Sequence, residues 1–304
     1  VIGNSDFYNG AFPSEYSNAL SGIFDMQIRN GNNQKYEHTF QLGILGIDLA
    51  SEGPISRKHG SSYIFNYRFS TTSLATGNDM NLKYQDLSFK LNFPTRKAGT
   101  FSIWGIGLID RYKPEAIDRD EWETQGDRQS GNTAFDKAAG GLTHKYLINA
   151  DTYIRSSLAA TYSKDRTRAD QITEDDKLVH VGDIRNSKWD IVFNLNKKFN
   201  SNHINRTGIT VTGLQYDLDY KISPNFGLDI PMEQISKGNG GSCVLSAYSS
   251  SVINLSNHLT TSLGITAQYF TLNKNWTVEP RAALKWSFNP KHALALAYGL
   301  HSRR

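Results

Sequence analysis

Five carboxylates stand close together at Asp118, Asp120, Glu121, Glu123 and Asp127. Clustered carboxylates suit hard cations, but this spacing lacks the ligand pattern and terminal glutamate of a calcium loop, so no metal site is expected. Tyr112, Trp122 and Trp189 lie in or beside polar connections, where an aromatic ring can stack on a ligand. Arg281, flanked by Glu279 and Lys285, has the chemistry to hold a carboxylate. These four, Tyr112, Trp122, Trp189 and Arg281, are the candidate ligand contacts. Catalysis has no comparable support: no GxSxG, HExxH or glycine-rich phosphate loop is present, and Cys243, after Gly240-Gly241-Ser242, has no histidine at a useful spacing. One cysteine excludes an internal disulfide and any CxxC zinc pattern, and no cofactor is expected. His59, His203, His258 and His292 sit at four separate turns, too dispersed to act as one pH switch.

The elements that must carry these residues are strands. Period-2 alternation recurs from about residue 36 to the end, and helical periodicity is scarce. Val278, Pro280, Ala282, Leu284, Trp286 and Phe288 oppose Glu279, Arg281 and Lys285. Tyr63, Phe65, Tyr67 and Phe69 enclose Asn66 and Arg68, and Leu87, Phe89, Leu91 and Phe93 enclose Ser88, Lys90 and Asn92. Leu214, Tyr216, Leu218 and Tyr220 alternate with Gln215, Asp217 and Asp219, and Leu294, Leu296, Tyr298 and Leu300 complete the series. With 33 basic and 29 acidic residues dispersed along 304 positions, the chain shows no basic stripe, and nucleic acid is excluded as a partner.

Strand length and turn asymmetry separate a soluble sandwich from a membrane barrel. Many runs exceed the five or six residues usual for globular strands and suit a tilted span of about 9–11 residues plus its extensions. Short turns near residues 56–59, 94–97, 149–151, 200–203, 255–258 and 289–292 alternate with polar connections at 70–81, 111–138, 165–186 and 221–241, with one tight exception near 273–275. Short turns on one side and long loops on the other mark an outer-membrane barrel. About thirteen strands are predicted, among them 139–149, 152–165, 187–199, 242–254 and 293–304. The phase breaks at Leu45-Gly46, which a tight hairpin or a bulge would explain; the hairpin is predicted because it places every short turn on the same side. Toward the lumen should point Arg68, Lys90, Glu279, Arg281 and Lys285; Tyr63, Tyr67, Trp104, Tyr216, Tyr220, Trp286 and Tyr298 should face lipid as interfacial aromatics.

Residues 1–33 differ: small and turn-forming residues precede one short strand, Ile23–Ile28. This stretch contains Phe7, Tyr8, Gly10, Phe12, Pro13, Glu15, Tyr16, Asn18, Ser21 and Gly22 and closes on Arg29-Asn30-Gly31. In that order and spacing it resembles the end of the plug domain of TonB-dependent outer-membrane receptors, particularly the Bacteroidetes group whose barrels follow a carboxypeptidase-like regulatory domain. Leu49 to Ile55, before a basic turn, is similar to that family's second barrel strand.

The resemblance implies an all-β chain: the C-terminal end of a plug at 1–33, then at 34–304 the N-terminal part of a transmembrane antiparallel β-barrel. About 13 of an expected 22 strands would be present. An odd strand count, an opening without initiator Met or signal peptide, and a close inside an alternating strand lead to the expectation of a piece of a longer protein. The implied activity is active import of a nutrient, a glycan, a siderophore or similar, across the bacterial outer membrane, without catalysis. Implied partners are the TonB–ExbB–ExbD complex, outer-membrane lipid and lipopolysaccharide, and a surface lipoprotein lid. A passive porin-like barrel and a surface carbohydrate-binding β protein are the alternatives.

Overall fold

The computed structural model describes residues 1–9, 12–44, 46–70, 80–114, 118–124, 127, 129–171, 177–223 and 231–302. A two-stranded sheet comes first, β1 (Ile2–Asn9) with β2 (Gly22–Ile28). Then follow β3 (Glu37–Gly43), β4 (Gly46–Ser56), β5 (Ser61–Ser70), β6 (Met80–Pro94) and β7 (Thr100–Pro114). After a short 3-10 turn at Arg119–Glu121 come β8 (Gln129–Asn149), β9 (Thr152–Gln171), β10 (Lys177–Asn200) and β11 (His203–Ile222). The chain continues through β12 (Glu233–Ser256), β13 (Leu259–Phe270), β14 (Asn275–Asn289) and β15 (His292–Gly299). Strands β3 to β15 form one antiparallel meander of thirteen, each bonded to its sequence neighbours, with β3 and β15 at the two edges.

Residues opposite each other on an antiparallel ladder project to the same side. One row therefore runs Glu52, Ile64, Lys90, Trp104, Gly141, Ala159, Asp190, Thr212 and Val244 across nine strands. That face meets residues 1–33 twice, at β4–β6 and again at β11–β14. It is the concave side, and the wall curls around the N-terminal segment. The convex side carries the large apolar residues: Phe193 is 55% exposed, Leu296 62% and Trp276 69%. Among the described residues only Phe12, Ile64 and Tyr248 are buried hydrophobics. Rings and aliphatic chains spread over the outside of a wall, with no dry interior behind it, mark a surface whose solvent is not water.

The expected hairpin at Leu45-Gly46 is present as a reversal in which Gly43 faces Gly46; Leu45 lies outside the described residues. Three expectations are corrected. Connections 111–138, 165–186 and 221–241 are largely strand, so β8, β10 and β12 reach 21, 24 and 24 residues. Ladder hydrogen bonds extend these strands through polar sequence in which apolar alternation gives no signal. Residues 2–9 form β1, missed because Asn4, Ser5 and Asp6 are poor strand formers; pairing with β2 overrides their propensity. Trp104 pairs with Lys90 and so lies on the inner face, as do Tyr216 and Tyr220, whereas Tyr63, Tyr67, Trp286 and Tyr298 lie outside as expected. Around Tyr216 the polarity inverts, because its charged neighbours Asp217 and Asp219 are the ones turned outward.

Candidate functional site

The turn at residues 12–16 sits against the inner wall, and each of its exposed-backbone problems has a wall side chain as its answer. Tyr16 N–H donates to the Pro13 carbonyl at 3.0 Å, closing the turn. The carbonyls of the turn cannot join a ladder, and buried carbonyls require partners. Arg281 of β14 supplies them: Nη1 donates to the carbonyls of Phe12, Pro13 and Tyr16 at 3.1, 2.8 and 2.6 Å. Its Nη2 donates to Glu279 Oε2 at 2.7 Å, and the guanidinium lies 4.7 Å from the Phe12 ring centre. The two charged side chains are 4% and 3% exposed. Glu279 Oε1 in turn accepts from Ser302 through its backbone N–H and its hydroxyl.

Thr266 Oγ1 on β13 donates to the Ser14 carbonyl at 2.6 Å, and Glu15 pairs with Arg206 of β11 at 2.9 Å. The contact is close enough to demand glycine in the wall: a Cβ on Gly264 would stand 2.1 Å from Ser14 Oγ. Cavities of about 360 and 410 Å³ flank the turn. Ser14 Oγ, Gln268 Nε2, Arg281 Nε and His301 Nδ1 lie buried beside them without protein partners, which makes this seam polar and roomy enough for water.

A second anchor holds the other end of the segment. Arg29 donates to both oxygens of Glu52 on β4, at 2.7 and 2.5 Å, and Glu52 also accepts from Asn32 N–H at 2.8 Å. Lys90 of β6 donates to the Ile28 carbonyl at 2.7 Å. Gly31 passes so near β5 that a Cβ would fall 1.9 Å from the Tyr63 carbonyl oxygen. Between the anchors, Tyr16 Oη donates to Asp25 Oδ2 at 2.8 Å, tying the turn to β2. Burial, then that bond, holds the Tyr16 phenol above its ordinary pKa.

Of the motif residues, Phe12, Pro13, Glu15, Tyr16 and Arg29 make these contacts. Tyr8 packs on Tyr16 with ring centres 5.5 Å apart, and Phe7 faces Phe24 across the β1–β2 ladder. Asn18 takes a φ of 60°, Ser21 precedes β2, Gly22 pairs with Asn9, and Gly10 lies outside the described residues.

The four residues read as ligand contacts do not come together. Arg281 points inward, and its nitrogens bond to carbonyls of the preceding segment and to Glu279. Trp189 lies elsewhere. It projects from the outer face and covers Gly213, because its parity is opposite to that of Asp190 and Lys188. Tyr112 lies on the inner face near the end of β7, and Trp122 follows the 3-10 turn beneath Arg119, 5.8 Å from its ring. Asp127 of the acidic cluster accepts from the N–H groups of Glu123 and Thr124, tying off its own loop. Thr266 and Arg206 were missed, since they meet partners 252 and 191 residues away and no local spacing announces them.

No family model matches the chain, and neither does any curated protein. Solved structures do. The open form of the ferric-catecholate import receptor Fiu from E. coli K12 superposes with a TM-score of 0.72 at 12% identity, over 99% of this chain and 60% of that one. A variant of the ferric enterobactin receptor PfeA from Pseudomonas aeruginosa gives 0.62 at 11%, over 98% and 48%. The siderophore receptor PirA from Acinetobacter baumannii gives 0.60 at 12%, over 94% and 46%. The chain thus spans about half to three fifths of the length of these structures. At such identities the likeness is one of fold: this chain folds as part of a transmembrane antiparallel β-barrel, with a preceding segment seated against the inner wall.

Proposed function

We propose that the protein belongs to the TonB-dependent outer-membrane receptors, of the Bacteroidetes type, and imports a nutrient actively. In this reading residues 1–33 are the end of the plug, 34–304 are barrel, and the protein works in the outer membrane as part of a longer chain. The observation that carries it is the turn at 12–16, latched by buried Arg281 to the inside of a wall whose outside is apolar. A segment whose carbonyls are held by a desolvated arginine on the inner wall is a fixed obstruction, which suits a gated importer better than an open passive pore.

The geometry suits a pull from the periplasm by the TonB–ExbB–ExbD complex. Val1 and Arg29 lie at the same end of the β1–β2 ladder, where Ile2 faces Ile28 and Arg29 N–H donates to the Val1 carbonyl at 3.0 Å. Tension between the chain upstream of Val1 and the Arg29–Glu52 anchor loads the ladder pair by pair, an unzipping that needs little force at each step. The Arg281 latch lies beyond the far end of that ladder and is loaded last. The three similar structures are named as a ferric-catecholate import receptor, a ferric enterobactin receptor and a siderophore receptor, and an iron chelate is one substrate class within the proposed range, glycans another. A surface lipoprotein lid belongs to the same reading.

Deletion of the host's TonB system tests it. Uptake that stops in the deletion strain, as it does when this gene is removed, supports energised import; uptake that persists makes the protein a passive pore.

A further inference from the structure

Beyond the 12–16 turn the inner face of β10–β12 reverses its character. Ile184, Leu214, Tyr216, Leu218, Tyr220 and Ile222 share that face, with the parity of Asp190 and Thr212. The same stretch turns Arg185, Asp217, Asp219 and Lys237 outward, where Arg185 pairs with Asp217 and Lys237 with Asp219. Counted from His203, Tyr216 lies about 44 Å along β11, or about 34 Å in height at barrel tilt. The apolar band of such a barrel is about 25 Å tall, so these rows stand clear of lipid, which accounts for charge on the outside. It does not account for apolar side chains on the inside. The mouth of a barrel holds water, and an apolar strip facing it marks a binding surface.

The rings of this strip are bedded on glycine. Tyr216 lies across Gly240, where a Cβ would stand 3.0 Å from Cε1 and 3.1 Å from Cζ and Oη. Tyr220 reaches over Gly182, where a Cβ would stand 3.4 Å from Cδ2. Both rings are thus laid along the sheet instead of standing into the mouth, and Tyr216 is 47% exposed. His180 braces Tyr220 edge-on, with ring centres 5.1 Å apart at 72°. The two tyrosines are about 13 Å apart along β11, with Leu218 between them. Beside Leu218 is Gly238, whose Cβ position has nothing within 4 Å. Asn186 and Ser163 continue the row of Tyr216 across β10 and β9, and Ser236 and Thr167 flank that of Tyr220. Charged side chains of the adjoining inner rows hold one another: Lys188 pairs with Asp190 at 3.1 Å, and Lys137 with Asp165 at 3.6 Å. The cavity of about 410 Å³ beside the 12–16 turn reaches Lys188 and Leu214, so the strip opens onto the seat of that segment.

We propose that this strip is a ligand platform with Tyr216 and Tyr220 as its stacking rings, and that it takes a neutral oligosaccharide rather than an anionic iron chelate. The inference rests on the importer reading above and names the substrate class within it. A pyranose presents an apolar C–H face and a rim of hydroxyls. The C–H face suits the electron-rich face of a tyrosine ring. The hydroxyl rim suits Asn186, Ser163, Ser236 and Thr167, neutral groups in the same rows. Two rings on one strand with an aliphatic side chain between them suit a chain of sugars better than a single one. A tris-catecholate iron(III) complex carries net negative charge and calls for cations, and the lysines at hand, Lys137 and Lys188, already hold carboxylates.

The test uses the full-length protein in detergent on an array of neutral linear oligosaccharides of glucose, xylose, mannose, galactose or fructose, with ferric enterobactin as the anionic probe. Losing one ring face costs about two- to tenfold in affinity, so Tyr216→Ala/Tyr220→Ala should bind the retained oligosaccharide roughly 4- to 100-fold more weakly. Tyr216→Phe/Tyr220→Phe keeps the ring faces and should stay within about threefold of wild type. Gly238→Gln, whose added atoms enter open space beside Leu218, should obstruct the strip and weaken binding at least as much as the loss of one ring. It carries the test if heat-modifiable gel migration shows that the alanine pair does not fold. Unchanged binding in either folded variant, or an array that wild type leaves empty, overturns the proposal. Ferric enterobactin bound by wild type and lost in the variants overturns it in favour of an anionic chelate. Uptake of the bound oligosaccharide is scored with and without the host's TonB system. Uptake that persists without TonB fails the importer reading, whereas TonB-dependent uptake left intact by the alanine pair fails only this inference.

Discussion

Replacing Arg281 by Ala removes three hydrogen bonds to the 12–16 turn and strands Glu279, whose side chain is 3% exposed, without its partner. Breaking a buried ion pair on one side costs about 3–5 kcal/mol, largely because the remaining charge stays desolvated. The strands of the wall keep their ladders, so this cost falls on the local seat of the segment rather than on the barrel. The amide to watch is that of Tyr16, whose bond to the Pro13 carbonyl closes the turn. Its hydrogen exchange in detergent-solubilised protein should accelerate by two to nearly four orders of magnitude, at a factor of ten per 1.4 kcal/mol. The double variant Arg281→Met/Glu279→Leu should exchange more slowly than the single one, because no unpaired charge remains. Arg206→Gln serves as the comparison: Arg206 is 51% exposed, and its pair with Glu15 is worth about 1 kcal/mol or less. Tyr16 exchange within threefold of wild type in Arg281→Ala would refute the reasoning, for it would mean that the turn is held by something other than the wall.

Three further outcomes are expected. Glu52→Gln weakens the other anchor, and exchange of the Asn32 amide, which bonds to Glu52, should rise about tenfold, less than at Arg281 because Arg29 is 43% exposed. Gly31→Ala, with its new Cβ 1.9 Å from a backbone oxygen, should expose residues 12–28 to limited proteolysis, whereas Gly238→Ala, with nothing within 4 Å, should leave the digest unchanged. Phe193→Arg on the outer face should destabilise the barrel in lipid by about 2–4 kcal/mol, while Ser246→Arg on the inner face should cost little, as measured by reversible unfolding in vesicles.

Much of the wall was legible in the order of residues. Apolar alternation at 278–288 and 294–300, and the spacing of short turns, follow from a strand whose two sides meet different solvents, so the pattern is written locally. The hairpin at Leu45-Gly46 was legible as well: the parity change fits a bulge or a reversal, and only the reversal puts every short turn on one side. Where both sides of a strand meet water the pattern vanishes, and the polar extensions of β8, β10 and β12 were unreadable. Strand β1 was hidden likewise, because only its pairing with β2 stabilises it.

The sequence by itself determined that the chain is β throughout, how many strands the wall has, and that a distinct segment precedes them. Only the tertiary structure decided what that segment's residues do. Phe12 and Tyr16 are separated from Arg281 by 269 and 265 positions, and Ser14 from Thr266 by 252. The parity of a strand tells which residues share a side, but which side is concave, and what rests there, follows from the curvature of thirteen strands acting together. For that reason it is only in the fold that Arg281 is seen to hold the carbonyls of Phe12, Pro13 and Tyr16.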